Sequence, residues 1–431
     1  MADTFEPTQY QLLSQASGKI YEDTGWTLDA PGETVPALLR SVYKSKSFIT
    51  GSDSQGIYKY SAWLPIKRRL QGSSAPLTFR SARLAQRLGL DNLFITFNGY
   101  WPEIGANMST CSFKETEAYS VCARLGSLNG KVLVVASAGN TARAFAKVCS
   151  ENNIPLLLCV PACNLNALWF EKPLNPCVKL AATQAGSDYF DAIFLSNQVV
   201  KCNGYIPEGG AKNIARRDGM GTTVLSATEK IGRIPDYYFQ AVGSGTGAIA
   251  AWEANLRLID DGRFGTHKMK LMVSQNAPFL PIYHAWKADS REMLPYDDDL
   301  ARKHAEEIEA KVLSNRKPPY SLAGGLYDAL KDTGGDVIAV DNSEAYAANN
   351  LFIETEGIDL HPAAAVATAS LIKAADQGVV DKSAIIMLNI TGGGEARFKS
   401  KKELYYLSPS LVFNINAEFN IVKEQLDTLV W

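Results

Sequence analysis

From about residue 90 onward, short β-branched or aliphatic runs alternate with helical stretches, and this alternation restricts the fold more than any other feature. The runs read as strands at Leu93–Phe97, Lys131–Ala136, Ile154–Val160, Val178–Ala182, Tyr237–Val242, Met269–Val273, Asp336–Val340 and Ala384–Ile390. Between them, Thr141–Cys149, Gly247–Leu258, Ser343–Thr355 and Pro362–Ala375 carry helical patterns. Strand and helix in turn build a parallel sheet covered on both faces, because a parallel connection must cross over the sheet. The expected class is α/β. The first 70 residues differ: polar, irregular and rich in Ser, Thr and Tyr, they read as an extension packed on the main body. Tyr296–Val312 reads as a surface helix, with Asp297, Asp298 and Asp299 at the end where the helix dipole favours negative charge. Arg316–Tyr320 reads as its exit loop, and Lys399–Lys402 as a solvated basic face.

Charge and length then exclude several roles. The 431 residues carry 43 basic and 45 acidic side chains, so no basic surface is expected for nucleic acid or an anionic membrane. A chain this long supports two or three domains. Val132–Ala136 and Ile154–Val160, among its longest apolar runs, fall far short of a bilayer span. The acidic start lacks the order of a signal peptide, and a cytoplasmic protein is expected. Seven cysteines lie between 111 and 202, none at Cys-x-x-Cys spacing, and all four histidines follow them. That pattern predicts free thiols, mostly buried, and no bound metal.

Four local features carry chemistry. Gly243-Ser-Gly-Thr-Gly247 follows an apolar run and opens a helix, so its N–H groups could converge on a phosphate. It could equally be a tight turn, or a dinucleotide loop with Asp260 or Asp261 downstream, although its third glycine comes one residue early. Asn140, at the end of Ala136-Ser-Ala-Gly-Asn140, could face a ligand or cap a helix. Lys114, in Thr110-Cys-Ser-Phe-Lys114, could be desolvated into a nucleophile and base, or sit at the surface paired with Glu115 or Glu117. Thr391, in Asn389-Ile-Thr-Gly-Gly-Gly394, ends a very apolar strand and could approach a flat ligand or belong to a plain glycine turn. Pyridoxal phosphate needs all four: a lysine, an N–H nest, a donor to the ring 3-oxygen and a partner for the ring nitrogen.

In that order the motifs resemble the tryptophan-synthase-β class (fold-type II) of pyridoxal-phosphate enzymes, and within it the threonine synthase branch, from roughly Gly72 to Gly394. Pro76-Leu77, Leu84-Ala85, Leu88-Gly-Leu90, Asn98-Gly99 and Glu356-Gly-Ile…Pro362-Ala-Ala stand where that branch has its marks. The resemblance implies two open αβα domains with an N-terminal extension at 1–70. The large cofactor domain would take 71–114 and 232–431, and a small closing domain 115–231. It makes Lys114 the Schiff-base lysine, Asn140 the donor to the 3-oxygen, and Gly243, Ser244, Gly245, Thr246 and Gly247 the phosphate cradle. Thr391 becomes the ring-nitrogen partner, a neutral hydroxyl suited to β-elimination and replacement. Thr110, Ser112 and Arg143 are candidate substrate ligands, with Lys147, Lys212, Arg216 and Arg217 as further basic groups. Cys111 is not assigned a role in the reaction, since relatives have glycine there.

Met108-Ser-Thr-Cys-Ser-Phe-Lys-Glu-Thr116 departs from the branch's Asn-Pro-Thr-Gly-Ser-Phe-Lys-Asp-Arg, and the extension holds no cysteine. Asn98-Gly-Tyr-Trp-Pro-Glu103 with Thr110–Ala118 resembles instead the cysteate synthases of methanogenic archaea. That implies conversion of O-phospho-L-serine and sulfite to L-cysteate and phosphate, through an aminoacrylate, for coenzyme M biosynthesis. It also implies small-molecule partners only, in a homo-oligomer. Threonine synthase acting on O-phosphohomoserine, and a non-catalytic ligand- or dinucleotide-binding protein, are the other readings.

Overall fold

Each expected strand forms, and the strands sort into two sheets in a computed structural model that describes residues 5–51, 55–126 and 130–431. The acidic start at 1–4 lies outside the described residues. The six-stranded sheet runs Asp336–Val340, Lys270–Asn276, Tyr237–Ala241, Ile385–Ile390, Asn92–Phe97, Leu77–Arg80, parallel except for its last pair. The five-stranded sheet, parallel throughout, runs Tyr205–Pro207, Val132–Ala136, Leu156–Pro161, Val178–Thr183, Leu411–Phe413.

Strands buried on both faces need apolar residues at every position, which is why Leu156–Pro161 has no exposed residue. The alanine-rich helix Pro362–Asp376 covers one face of the larger sheet, packing Ala364, Val366 and Leu371 with Phe239 and Leu388. Helix Thr246–Asp261 covers the other, with Ile249, Ala251 and Trp252 against Tyr238, Leu271 and Met387. Burying one such aliphatic side chain stabilises the fold by roughly 1.5–3 kcal/mol. These two helices therefore clamp the sheet whose strand ends form the cleft.

Three expectations need correction or refinement. The first 70 residues are not irregular. They form an antiparallel sheet of Ile20–Tyr21, Tyr10–Ser14 and Leu39–Tyr43, followed by a 3-10 segment at Gly56–Trp63. The strand Leu39–Tyr43 alternates inward and outward, but one inward residue is Ser41, whose hydroxyl, like that of Tyr43, donates to buried Asp218 at 2.5 Å. A polar residue on the inner face hides the alternation from a hydrophobicity pattern. The segment at 296–312 is a surface helix only over Asp298–Glu307; Ile308, Ala310 and Leu313 then turn into the core. Strand Leu77–Arg80 had no sequence expectation.

The expected division placed 232–431 wholly in the larger unit. Strand Leu411–Phe413 pairs with the five-stranded sheet, and helix Phe419–Leu426 packs beside Leu195 and Val199. The chain thus passes between the two sheets three times, at 98–131, 208–236 and 391–410.

Candidate active site

The carboxyl ends of strands from both sheets face a single cleft. Strands Tyr237–Ala241 and Ile385–Ile390 are parallel neighbours with Phe239 opposite Leu388, so the turns that follow them emerge side by side. In the first turn, Gly245 is left-handed (φ 78°) and caps helix Thr246–Asp261. A Cβ on Gly243 would lie 2.9 Å from the Leu313 backbone, and one on Gly247 would lie 2.6 Å from the Gln240 amide. No side chain fits at either position, so backbone N–H groups and the helix dipole are presented to the cleft. The Ser244 and Thr246 hydroxyls stand 2.8 Å apart on the same turn. Lys311–Asn315 also lines the cleft, a contribution the surface-helix expectation concealed.

Thr391 lines the cleft at the end of the second strand. The glycines after it serve close packing of three backbones. A Cβ on Gly392 would meet the Cys111 carbonyl at 2.8 Å and the His361 Cβ at 3.1 Å. The Thr391 carbonyl accepts from Phe113 N–H (2.9 Å), and the Gly392 carbonyl from His361 N–H (3.0 Å). One turn therefore anchors the segments that carry Lys114 and His361.

Asn140 begins helix Asn140–Glu151 but does not cap it. Ser137 does that work, its Oγ accepting from Gly139 N–H (3.1 Å) and Ala142 N–H (3.0 Å). The Asn140 side chain is thereby left for the cleft. Its Oδ1 accepts from Arg143 Nη2 at 2.9 Å, which turns Nδ2 towards His361, 3.2 Å away.

Lys114 opens helix Lys114–Arg124 and lines the cleft. It does pair with Glu117, Nζ to Oε2 3.1 Å, but inside the cleft, where Glu117 has no exposed side-chain surface. Arg216 reaches the same carboxylate with Nη2 at 2.9 Å and Nε at 3.2 Å, and Thr141 donates to it at 3.1 Å. Arg216 Nη1 also binds Glu208 at 2.7 Å. Two cations that line the cleft are thus held by two carboxylates buried behind them. Burial pushes the Lys114 pKa down, and this outweighs the Glu117 charge that favours the ammonium. Burial opposes the Glu117 charge, but Arg216 and Lys114 outweigh it and hold its carboxyl below the usual range. Glu208 is raised by burial, which Arg216 only partly offsets.

The candidate substrate ligands separate. Ser112 lines the cleft, and its Oγ accepts from Lys114 N–H at 3.3 Å. Thr110 and Arg143 instead line an adjoining cavity with Trp169 and Lys147. The Thr110 hydroxyl donates to Glu115 at 2.9 Å. The Arg143 guanidinium, stacked 4.0 Å over Trp169, donates to Thr110 O, Ala167 O and Asn140 Oδ1. It touches the cleft only through Asn140. Arg216 is the arginine that faces the cleft, while Arg217 turns away to Glu253 (3.0 Å). A basic pair on one helix gave no sign of which member points inward. Glu208, Tyr189 and His361 had no assigned role in the sequence reading, and Glu117 only that of a surface partner for Lys114, since isolated residues on different segments leave no spacing to read.

Cys111 is buried with φ 54°, a left-handed conformation that glycine adopts without strain, and burial pushes its thiol well up. Asp261 lies at the far end of the 16-residue helix Thr246–Asp261, about 24 Å from the glycine turn at 1.5 Å per residue, and accepts from Phe48 N–H at 2.5 Å. It cannot serve a ligand seated on that turn. The described cysteines are all free thiols, and four of the seven are buried. Among the described residues no group of three His, Cys, Asp or Glu could hold a metal ion, and no helix is long and apolar enough to cross a membrane.

Residues 75–392 match the family of pyridoxal-phosphate dependent enzymes. The cysteate synthase of Methanocella paludicola is 48% identical over 87% of this chain and 88% of its own length. That of Methanoregula boonei is 45% identical over 98% of both chains. Among solved structures, maize serine racemase superposes with a TM-score of 0.55 at 16% identity, covering 76% of this chain and 91% of its own. A tomato threonine deaminase does so with a TM-score of 0.55 at 16% identity, covering 87% and 98%.

Proposed function

The chain belongs to the pyridoxal-phosphate-dependent enzymes and, within them, to the cysteate synthases, and from that premise we propose that it converts O-phospho-L-serine and sulfite to L-cysteate and phosphate. The fold is that of fold-type II, and the cofactor is pyridoxal phosphate. One observation carries the assignment of residues: Lys114, Asn140, the glycine turn and Thr391 come from four separate segments to one cleft that also holds Arg216. The cradle fits the cofactor: Gly243–Gly247 line the cleft at the N-terminus of helix Thr246–Asp261, with the Ser244 and Thr246 hydroxyls on the same turn.

When bound, pyridoxal phosphate supplies the electron sink that makes the Cα–H of an amino acid acidic and lets its β-substituent leave. The N–H groups of Gly243–Gly247 would hold the cofactor phosphate, Asn140 Nδ2 its 3-oxygen, and Thr391 its ring nitrogen. Lys114 Nζ is the base: it takes the Cα proton and returns one after the Cβ–O bond to phosphate has broken and the Cβ–S bond to sulfite has formed. Burial moves the Lys114 pKa down, the direction this role requires. Arg216 is the cationic wall for the substrate anions, and Ser112 a hydroxyl donor beside it. Thr110 and Arg143 act from behind, Arg143 by orienting Asn140.

The larger sheet and its helices form the cofactor unit, and the five-stranded sheet with Leu411–Phe413 the closing unit. We read the enzyme as a cytoplasmic homo-oligomer without nucleic-acid or membrane partners, which sedimentation of the purified enzyme tests. The threonine synthase and non-catalytic readings are not favoured. The deciding experiment offers the holoenzyme phosphoserine with and without sulfite, then phosphohomoserine with water. Cysteate formed only with sulfite supports the proposal; equal or better turnover of phosphohomoserine refutes it.

A further inference from the structure

His361 is a half-buried residue of the cleft wall that the mechanism above does not use. It stands at the N-cap of helix Pro362–Asp376, a position usually filled by Ser, Thr, Asp or Asn. Its ring does the capping: Nδ1 accepts from Ala363 N–H at 3.3 Å. The main chain that carries the ring is held as well, because His361 N–H donates to the Gly392 carbonyl at 3.0 Å. The ring orientation is set by its bond to the Ala363 N–H on a backbone that is itself anchored.

This arrangement decides the tautomer. Burial keeps the imidazole neutral, pushing its pKa down to about 4. A neutral imidazole has one N–H, and a nitrogen that accepts cannot also carry it. With Nδ1 accepting from Ala363, the proton sits on Nε2. Asn140 is fixed by the same logic. Arg143 has only donors, so the atom it binds at 2.9 Å is the amide oxygen, and the NH₂ group faces His361. Nε2–H of His361 and Nδ2–H₂ of Asn140 thus approach to 3.2 Å, and both are donors. They cannot satisfy one another. Two donors at that separation, both facing the cleft, converge on a position where one acceptor atom can lie within hydrogen-bond reach of each.

We propose that His361 and Asn140 form a two-donor clamp for one oxyanion of the bound cofactor, the 3-oxygen of its ring, with His361 as the second donor. The inference rests on the reading of Asn140 given above. The clamp explains why a histidine stands where a serine or aspartate would cap as well. Its Nδ1 closes the helix end while Nε2, on the far side of a rigid ring, reaches the ligand. No smaller capping side chain offers both.

The experiment compares His361→Ala, His361→Gln and Asn140→Ala with the wild-type enzyme. Pyridoxal phosphate affinity is measured by fluorescence quenching, the position of the bound cofactor's visible absorbance is recorded, and thermal unfolding of the cofactor-free protein controls for folding. A hydrogen bond to a charged oxygen predicts that His361→Ala weakens cofactor binding about tenfold or more and shifts the absorbance. His361→Gln, which keeps an N–H at similar reach, is expected to recover most of that affinity. Cofactor affinity and absorbance unchanged in His361→Ala overturn the clamp, as does His361→Gln performing no better than alanine, which would make the role one of packing. An Asn140→Ala variant with wild-type affinity and absorbance overturns instead the underlying placement of the cofactor. If His361→Ala alone unfolds early without cofactor, ¹⁵N shifts of the wild-type His361 ring decide: protonated Nε2 supports the clamp, protonated Nδ1 overturns it.

Discussion

Replacing Glu117 by Gln tests the reasoning about the cleft at its most charged point. The wild-type carboxylate has no exposed side-chain surface and holds Arg216 through two hydrogen bonds, at 2.9 and 3.2 Å, and Lys114 at 3.1 Å. Breaking a buried pair by removing one partner costs about 3–5 kcal/mol, because the other charge stays buried and unpaired. Here Arg216 keeps Glu208 at 2.7 Å, and a glutamine oxygen can still accept one bond. The expected loss is therefore smaller, about 2 kcal/mol by comparison with such buried pairs. Urea unfolding of the cofactor-free protein at pH 7 measures it. A double-mutant cycle with Arg216→Gln should recover a coupling of about 1.5–3 kcal/mol, within the range for residues in one ion-pair network. Activity carries a second sign. Glu117 favours the Lys114 ammonium, so its removal lowers the lysine pKa further, and the acid limb of the kcat profile, which reports the substrate complex where this amine is free, moves to lower pH. A coupling below about 0.5 kcal/mol, with an unmoved acid limb, would refute the claim that these groups act as one network.

Other expectations follow from the same geometry. Lys114→Ala is expected to abolish turnover and the visible absorbance of the bound cofactor, read directly in a spectrophotometer. Gly392→Ala places a Cβ 2.8 Å from the Cys111 carbonyl and 3.1 Å from the His361 Cβ, so cofactor affinity should fall although no functional side chain is removed; equilibrium dialysis with pyridoxal phosphate checks this. For His361 the folded pKa of about 4 lies below the ordinary 6.5, so the unfolded chain binds more protons between those values and stability falls as pH drops through that window. The full penalty is about 3 kcal/mol, and a His361→Gln variant should show a correspondingly flatter stability curve from pH 7 to 4 in denaturant titrations. Cys111→Ala should keep turnover within a few-fold of wild type in the sulfite assay, because its thiol is buried away from the cleft.

How much of this was readable before the structure depends on where the information lies. The strands were legible because burial on both faces demands uninterrupted apolar runs; the glycine turn, Asn140, Lys114 and Thr391 each read equally as a turn, a cap or a surface pair, and only their order together, which resembles a known family, singled them out. The N-terminal sheet was not legible, since Ser41 and Tyr43 point inward to a buried aspartate and break the hydrophobic alternation. Arg143 and Arg216 show a second limit. Both lie near the start of a helix close to the site, and only the tertiary packing decides that Arg143 braces Asn140 while Arg216 lines the cleft. His361 shows a third: its position before a proline marks a helix start, but nothing in the chain says its ring meets a residue 221 positions away.

The three passages of the chain between its sheets have a mechanical meaning. Lys114 lies on the first, Arg216 on the second, and Thr391 starts the third, whereas Asn140 rides on one sheet and the glycine turn on the other. Bodies joined by three covalent straps cannot slide apart; they can only swing about the straps, as a door does about its pins. Residues on the pins keep their mutual distances through such a swing, and the residues out on the leaves sweep the greatest arc. A single proteolytic nick in any strap would leave two others holding, so the cut enzyme should elute from a sizing column undivided. Lys114, Arg216 and Thr391 would then ride on the pivot, and Asn140 and the glycine turn on the jaws.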